Sequence, residues 1–335
     1  MEIRENIILA PYTTFRIGGP AKYFCEVVSV DELREALDFS KKNNIKNFIL
    51  GGGSNILVSD NGFDGLVIKM GIKGLSFKDE SDYVVLSAGA GESWDYVVEQ
   101  AVGKNLSGIE NLSLIPGTMG AAVYQNIGAY GVEIKDVLES VEVLDAKLGE
   151  TKTLSSEDCE FKYRDSVFKH KEGANLVVLG VKLNLFKIQK LNINYPDLTK
   201  IFEGRNPSIA EVRQAVVDTR KKKLIYPDEL GNAGSFFKNP IITIDHFENI
   251  VLTHPDLKGF KLADGSVKLF VAQLIEKLGW KGKRFGNVGI SEKHSLVLVN
   301  YGGGTVKEIT NLAEKIKKSV TDKFGVEIEL EVEIV

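Results

Sequence analysis

The sequence predicts an α+β protein of two or three domains, and three observations support this. The chain has 335 residues, which is more than one small core usually organises. Strand-like apolar runs alternate with helical patterns along most of its length. A polar stretch with prolines and a glycine, residues 188–208, interrupts the alternation and indicates a linker or mobile loop.

Composition and charge exclude several classes of protein. Apolar residues make up 43%, too many for a disordered chain. Lys and Arg number 42 against 46 Asp and Glu, and no half is strongly basic, so we expect no nucleic-acid partner. Cys25 and Cys159 are far apart, which excludes a disulfide framework and favours a reducing compartment. The charged N-terminus and the lack of any run of membrane-spanning length predict a cytoplasmic protein without a membrane partner.

The first region has the pattern of a βαβ unit. An apolar run at residues 23–28 precedes a helical pattern from Asp31 to about Asn44. A strand at residues 48–50 then leads directly into the sequence GGGSN at 51–55. This region therefore predicts a glycine loop at the end of a strand.

Helices are predicted after Ser93, from Ser208 and from Thr305. The last two begin with capping boxes, in which a glutamate three residues on reaches back to the start of the helix. A further helix is predicted over residues 267–278. Residues 326–334 alternate apolar and acidic side chains, which predicts a final strand with four glutamates on one face.

Two glycine-rich segments are candidates for holding an anionic ligand. Glycines in GGGSN (51–55) let the backbone approach a ligand with its N–H groups, although a tight structural turn explains them equally well. Neither a dinucleotide-binding fingerprint nor a Walker loop is present. Residues 116–131 concentrate Gly, Ala, Thr, Gln and Asn, which form poor helix and poor strand and suit a backbone wrapped around a pyrophosphate or a flavin edge.

A third segment, GNAGSFFKNP at residues 231–240, exposes Ser235 between small residues and aromatic ones. Phe237 stands where a nucleophile elbow requires glycine, and the histidines form no obvious triad. A serine that donates a proton is therefore the more natural hypothesis, and an ordinary loop serine is the alternative. Arg164 beside Asp165 is on its own typical of a surface ion pair. No metal site is expected, since no pattern of ligand spacing is present.

Five segments in a fixed order carry a resemblance to a known family. They are TFRIGGP at 14–20, LGGGSN at 50–55, IPGT with QNIGAYG across 115–131, YRDS at 163–166 and GNAGSFFKNP at 231–240. Together they closely resemble the UDP-N-acetylenolpyruvoylglucosamine reductase family, over nearly the whole chain. The resemblance implies an α+β fold of the vanillyl-alcohol oxidase/p-cresol methylhydroxylase FAD-binding type.

The resemblance also implies three domains. Residues 1–70, completed by the C-terminal strand 326–335, form the first FAD-binding subdomain. Residues 71–207, with a substrate loop near 190–207, form the second, and residues 208–325 bind substrate. The implied reaction passes a hydride from NADPH to tightly bound FAD and then to the enolpyruvyl ether of a UDP-linked amino sugar. Its product is UDP-N-acetylmuramate, a peptidoglycan precursor, and we expect a monomer.

The family's functional residues transfer to matching positions. Arg164 matches an arginine that stabilises negative charge on the substrate carboxylate, and Ser235 matches a serine acid. Glu331 matches a C-terminal glutamate, one of four that alternation alone leaves open. The residues expected to bind substrate are Tyr130, Tyr195 (a loop tyrosine of the type I subgroup), Lys223 and Asn239. Those expected to bind the cofactor are Gly51, Gly52, Gly53, Ser54, Asn55, Pro116, Gly117, Thr118, Gly120, Ala121, Gln125, Asn126, Gly128, Ala129, Gly131 and Arg220.

The chain departs from the family pattern near its end, and two other functions stay open. Leu330 replaces a frequent proline, and Glu333 replaces an arginine that assists the diphosphate in some members. We expect that contact either to be absent here or to be made by Lys238 or Lys283. One alternative is an FAD-dependent oxidase of small alcohols, which has no need of the UDP-contacting residues. The other is a non-catalytic nucleotide-binding module, which has no need of the three catalytic residues.

Overall fold

The computed structural model describes residues 1–335. Its helices are α1 (Val30–Lys42), α2 (Trp94–Gly103), α3 (Met119–Gln125), α4 (Pro196–Ile201), α5 (Ile209–Lys223), α6 (Ile244–Thr253), α7 (Val271–Lys277) and α8 (Val306–Phe324). Short 3-10 helices cover Ala10–Tyr12, Glu110–Leu112, Ile134–Asp136 and Val167–Lys169.

The strands of the first half are β1 (Arg4–Ile8), β2 (Pro20–Val27), β3 (Lys46–Leu50), β4 (Ile56–Leu57), β5 (Phe63–Met70), β6 (Leu75–Asp79), β7 (Tyr83–Gly89), β8 (Gly128–Ala129), β9 (Val132–Glu133), β10 (Leu138–Asp145) and β11 (Glu150–Ser155). Those of the second half are β12 (Leu176–Phe186), β13 (Gly231–Ser235), β14 (Ile241–Ile242), β15 (Gly259–Lys261), β16 (Val267–Leu269), β17 (Arg284–Phe285), β18 (Val288–Ile290), β19 (Val297–Asn300) and β20 (Glu333–Ile334).

The chain divides into two compact units. The first contains residues 1–7, 21–53 and 64–221, and the second contains residues 8–20, 54–63 and 222–335. Residues 208–221 thus group with the chain before them. The three-domain division implied by the resemblance remains a prediction.

The first unit is built on two sheets. One has the strand order β1-β2-β5-β3, with β3 and β5 parallel, and packs against the apolar face of α1. The other has the order β11-β10-β12-β7-β6, in antiparallel pairs, and its core includes the fully buried Trp94 of α2. The predicted βαβ unit is confirmed, since β2, α1 and β3 follow one another where the pattern placed them.

The second unit has a four-stranded sheet, β13-β19-β18-β17, and a three-stranded sheet, β14-β16-β15. The core of this unit takes side chains from α7, α8 and the C-terminal segment. Strand β20 pairs in parallel with β4, so the end of the chain lies beside residues 56–57. The helix α8 begins with the predicted capping box, in which Thr305 and Glu308 satisfy each other's backbone N–H groups.

Three predictions of secondary structure were wrong in part. Residues 267–278 form strand β16 and then helix α7, because Val267 and Leu269 pair with β14 and β15 before the helix begins at Val271. The predicted final strand alternates in burial from Val326 to Glu329, but Ile334 is exposed and only Glu333–Ile334 pair as a regular strand. The polar stretch near residue 200 contains helix α4, which packs through Leu198. No helix combines the length and the apolar character needed to cross a membrane.

Candidate active site

In the first unit the two glycine segments meet backbone to backbone. A Cβ added at Gly51 would lie 2.7 Å from Thr118 Oγ1, and one added at Gly52 would lie 2.7 Å from Gly117 Cα. At Gly52 the atoms met are main chain, so only glycine permits so close an approach there. The loop after β3 and the start of the 116–131 segment therefore form one continuous wall.

The segment 116–131 is more regular than its composition predicted. Helix α3 occupies its middle, and the N–H groups of Met119 and Gly120 donate to the carbonyls of Glu92 and Ala90, each at 2.9 Å. Asn126 ends the helix in the left-handed conformation, with φ of 45°. Any ligand contact of Gly120 must therefore use atoms other than its N–H.

Buried polar atoms without hydrogen-bond partners occur in the second glycine segment and in helix α5. Thr118 Oγ1, Asn126 Oδ1 and Arg220 Nε are each buried and unpaired within the protein. A buried polar group left unpaired is costly, on the order of 1–3 kcal/mol, so such groups mark places where a ligand completes the structure. A hydroxyl, an amide and a guanidinium suit the diphosphate and polar edge of a dinucleotide. The residues present therefore fit FAD.

Two lysines beside these segments were missed by sequence reasoning. Lys69 Nζ donates to the carbonyl of Gly51, and burial lowers the pKa of Lys69. Lys169 Nζ donates to Gln125 Oε1 and, at 3.0 Å, to the carbonyl of Arg164. Lys69 could have been found as the single lysine in the otherwise largely apolar strand β5. No sequence pattern distinguishes Lys169.

Arg164 occupies the tip of a tight turn. Lys162 and Asp165 close this turn by exchanging backbone hydrogen bonds of 3.1 Å each way. The guanidinium donates to the carbonyl of Gly128 at 2.7 Å and lies 5.3 Å from the ring of Tyr163. Asp165 pairs instead with His170, at 2.8 Å. The arginine therefore points to the second glycine segment and is not simply half of an ion pair with its neighbour.

The backbone of Arg164 has a φ of 56°, a conformation that only glycine adopts without strain. We expect Arg164→Gly to be more stable than Arg164→Ala by about 1 kcal/mol, because glycine removes the Cβ that is strained here. Urea denaturation of the two variants measures the difference. Equal free energies of unfolding would show that the turn stores no strain. Such strain at a charged residue is typical of functional sites.

The two tyrosines predicted to bind substrate lie in contact. Their rings pack edge to face with centroids 5.1 Å apart, and Tyr195 remains 39% exposed. Burial of the rest of the side chain raises the pKa of Tyr195, and Asp197 adds to the effect. The hydroxyl of Tyr195 can therefore donate a hydrogen bond to a ligand.

In the second unit the structure brings the backbone of Glu331 beside that of Ser235, although the two residues are far apart along the chain. Ser235 ends strand β13, and the backbone N–H of Glu331 donates to the carbonyl of the next residue, Phe236, at 2.9 Å. Glu331 is half-buried, whereas Glu327, Glu329 and Glu333 are exposed. Burial thus separates one glutamate from the four that the alternating pattern left open.

Other predicted residues of the second unit hold local structure. The side-chain amide of Asn55 donates to the carbonyl of Glu331 at 3.0 Å, so it fixes the segment that carries the glutamate. Asn239 Oδ1 accepts from the N–H of Val271, the first residue of α7. Lys238, one of the two lysines expected to replace the missing arginine, pairs with Glu329 at 3.3 Å.

The predicted residues divide between the units as follows. The first unit contains Gly51, Gly52, Gly53, Pro116, Gly117, Thr118, Gly120, Ala121, Gln125, Asn126, Gly128, Ala129, Tyr130, Gly131, Arg164, Tyr195 and Arg220. The second contains Ser54, Asn55, Lys223, Ser235, Asn239 and Glu331. No group of metal-ligating side chains is present.

Comparison with known proteins gives matches to both parts of the chain. A family model described as an FAD binding domain matches residues 21–155. A model described as the C-terminal domain of UDP-N-acetylenolpyruvoylglucosamine reductase matches residues 226–335. The UDP-N-acetylenolpyruvoylglucosamine reductase of Pseudomonas syringae pv. syringae is 42% identical over 99% of this chain and 98% of its own. That of Flavobacterium johnsoniae is 42% identical over 100% of both.

Solved structures give the same result for the fold. The UDP-N-acetylenolpyruvylglucosamine reductase of Thermus caldophilus superposes with a TM-score of 0.69 and 27% identity, over 99% of both chains. A solvent-stable cholesterol oxidase superposes with a TM-score of 0.52 over 98% of this chain and 86% of its own. At 11% identity this second likeness is one of fold alone.

Proposed function

The chain belongs to the UDP-N-acetylenolpyruvoylglucosamine reductase family, and from that premise we propose that Arg164, Ser235 and Glu331 carry its chemistry. The protein is an FAD-containing oxidoreductase with NADPH as reductant. It reduces UDP-N-acetylglucosamine enolpyruvate to UDP-N-acetylmuramate in peptidoglycan synthesis. Its fold is the predicted FAD-binding α+β fold of the vanillyl-alcohol oxidase type. Its free cysteines suit a cytoplasmic protein, and we propose that it acts there as a monomer.

The glycine segments of the first unit hold the cofactor in this proposal. Gly52 is the residue whose side chain would most directly disturb the wall, because its Cβ would meet main chain. We expect Gly52→Ala to purify with a small fraction of the wild-type flavin, measured by absorbance of the released cofactor. Gly103→Ala is the matched control, since a Cβ there meets nothing within 4 Å, and it should keep its flavin. Full flavin content in Gly52→Ala would contradict the assignment.

FAD held by the glycine segments would supply the hydride chemistry that links NADPH to the methylene carbon of the enolpyruvyl ether. Arg164 stabilises the negative charge that then develops on the substrate carboxylate. Ser235 donates the proton to the neighbouring carbon. A serine hydroxyl is too weak an acid to stay ionised, so we assign to Glu331 the relay of a proton from solvent to the serine oxygen, which replaces the proton given to the substrate. The hydrogen bond from Glu331 N–H to the carbonyl of Phe236, beside Ser235, is the observation that supports this pairing.

A half-reaction assay tests the proposal. The purified protein is reduced with NADPH under argon, and UDP-N-acetylglucosamine enolpyruvate or oxygen is then added as the oxidant. We expect the UDP-linked substrate to restore the oxidised flavin spectrum far faster than oxygen does. Rapid reoxidation by oxygen alone would favour the alcohol oxidase, and a protein that cannot be loaded with FAD would favour the nucleotide-binding module.

A further inference from the structure

Asn111 joins the two segments that carry the substrate tyrosines. It lies in the 3-10 helix Glu110–Leu112 and is fully buried. Its side-chain amide donates to the carbonyl of Tyr130 at 2.9 Å and to the carbonyl of Asn192 at 2.7 Å. One side chain therefore uses both of its N–H groups to connect the turn at residue 130 to the loop before Tyr195.

The turn that Asn111 holds is strained. Tyr130 has a φ of 49° and Gly131 a φ of 81°, so an aromatic residue occupies the left-handed region. The side chain of Asn192 donates to the carbonyl of Gly131 at 3.0 Å, which adds a second connection between turn and loop. Conformations of this kind persist only where surrounding contacts fix them, and these two asparagines supply such contacts.

The loop itself is organised around the same contacts. Asn192 Oδ1 accepts from the N–H of Asn194, and Thr199 Oγ1 donates to the carbonyl of Ile193. Leu191, Ile193 and Tyr130 pack against a small buried cluster formed by α4 and α5. Tyr195 follows this anchored stretch and meets Tyr130 edge to face. The geometry of both hydroxyls thus depends on the asparagine connection.

We propose that Asn111 is a positioning residue for substrate recognition, which sets the relative placement of Tyr130 and Tyr195 without touching the substrate itself. This inference rests on the proposed function, because the inference takes Tyr130 and Tyr195 to bind the UDP-linked substrate of the proposed reaction. A merely structural asparagine would change stability and leave the Michaelis constant for that substrate as it is. A positioning residue would raise the Michaelis constant while the chemical step keeps its rate.

The test uses Asn111→Asp, which keeps the shape but replaces the N–H donors with oxygens facing two carbonyls. We expect the KM for UDP-N-acetylglucosamine enolpyruvate to rise about tenfold or more, with kcat within about twofold and NADPH reduction unchanged. The Kd of the oxidised holoenzyme for UDP-N-acetylmuramate, measured by calorimetry, should rise by a similar factor. Asn192→Ala removes the second connection and the hydrogen bond from the N–H of Asn194, but it keeps the backbone carbonyl that Asn111 contacts. It should raise KM by a smaller factor and guards against a folding defect in the first variant.

Asn300→Asp is the matched control. Asn300 is also buried, and its amide donates to the carbonyls of Phe15 and Arg16 at 3.1 and 3.4 Å. It should lower the melting temperature without raising KM. Wild-type KM and Kd in both Asn111→Asp and Asn192→Ala would overturn the inference and leave the proposed function intact. Failure of the wild-type enzyme to consume the UDP-linked substrate would overturn the proposed function and, with it, the inference.

Discussion

Replacement of Ser235 by alanine should leave flavin reduction by NADPH at its wild-type rate and slow flavin reoxidation by the enolpyruvyl substrate about 10²- to 10⁴-fold. The serine hydroxyl is assigned only to the proton that follows hydride delivery, so it has no part in the first half-reaction. Stopped-flow absorbance of the flavin, with each half-reaction started separately, measures both rates. The strand that carries Ser235 is held by backbone bonds to β19, so alanine should not disturb its position.

The control for this variant is Ser266→Ala, which removes a hydroxyl bonded to Asp264 in an exposed turn of the same unit. It should match the wild type in both half-reactions. Equal slowing of reduction and reoxidation in Ser235→Ala would show that the residue affects the flavin environment and is not the proton donor.

Glu331→Gln should also slow reoxidation by the substrate about 10²-fold or more, because the amide cannot relay a replacement proton to the oxygen of Ser235. The substitution keeps the size of the side chain, and the backbone bonds of residue 331 do not depend on its carboxyl group. Flavin content and the rate of reduction by NADPH should therefore stay at wild-type values. The measurement is the same stopped-flow reoxidation, made across a range of pH.

Glu329→Gln is the matched variant on the same segment. Glu329 is 78% exposed on its side chain and pairs with Lys238 at the surface, so its loss should cost less than about 1 kcal/mol of stability. Its reoxidation rate should equal that of the wild type. If Glu329→Gln were the slower of the two, the role assigned to Glu331 would belong to Glu329, its neighbour on the same face of the segment.

Local signals explain which parts of the fold could be predicted. Helix α1 begins after the Ser29 cap, has acidic residues in its first turn and ends in lysines, so its bounds follow from the sequence. Residues 267–269 fit a helical period equally well, and only their pairing with β14 and β15 makes them a strand. Helix α3 forms despite its glycine because contacts outside the segment stabilise it, including the backbone bonds to Ala90 and Glu92.

The residues of the site divide in the same way. Some are marked by a local sequence pattern, and the role of others depends on distant parts of the chain. Glycine motifs and Ser235 stand out as sequence patterns, but the pattern could not separate Glu331 from its neighbours, since burial depends on what the rest of the unit covers. Asn111 acts through two carbonyls far along the chain, and a carbonyl leaves no mark in a sequence. Lys169 contacts the distant side chain of Gln125 and the carbonyl of Arg164, and neither contact could be predicted from its position. The strain at Arg164 was likewise invisible until the turn was seen.

The contact between Gly52 and Gly117 restricts how the protein could escape an inhibitor. Every missense change in a glycine codon adds at least one carbon, and at Gly52 that carbon would come within 2.7 Å of the Cα of Gly117. No other amino acid lacks that atom. We therefore expect a compound that binds against this wall to select resistance at other positions, because a substitution of Gly52 would also disturb the segments proposed to hold the flavin.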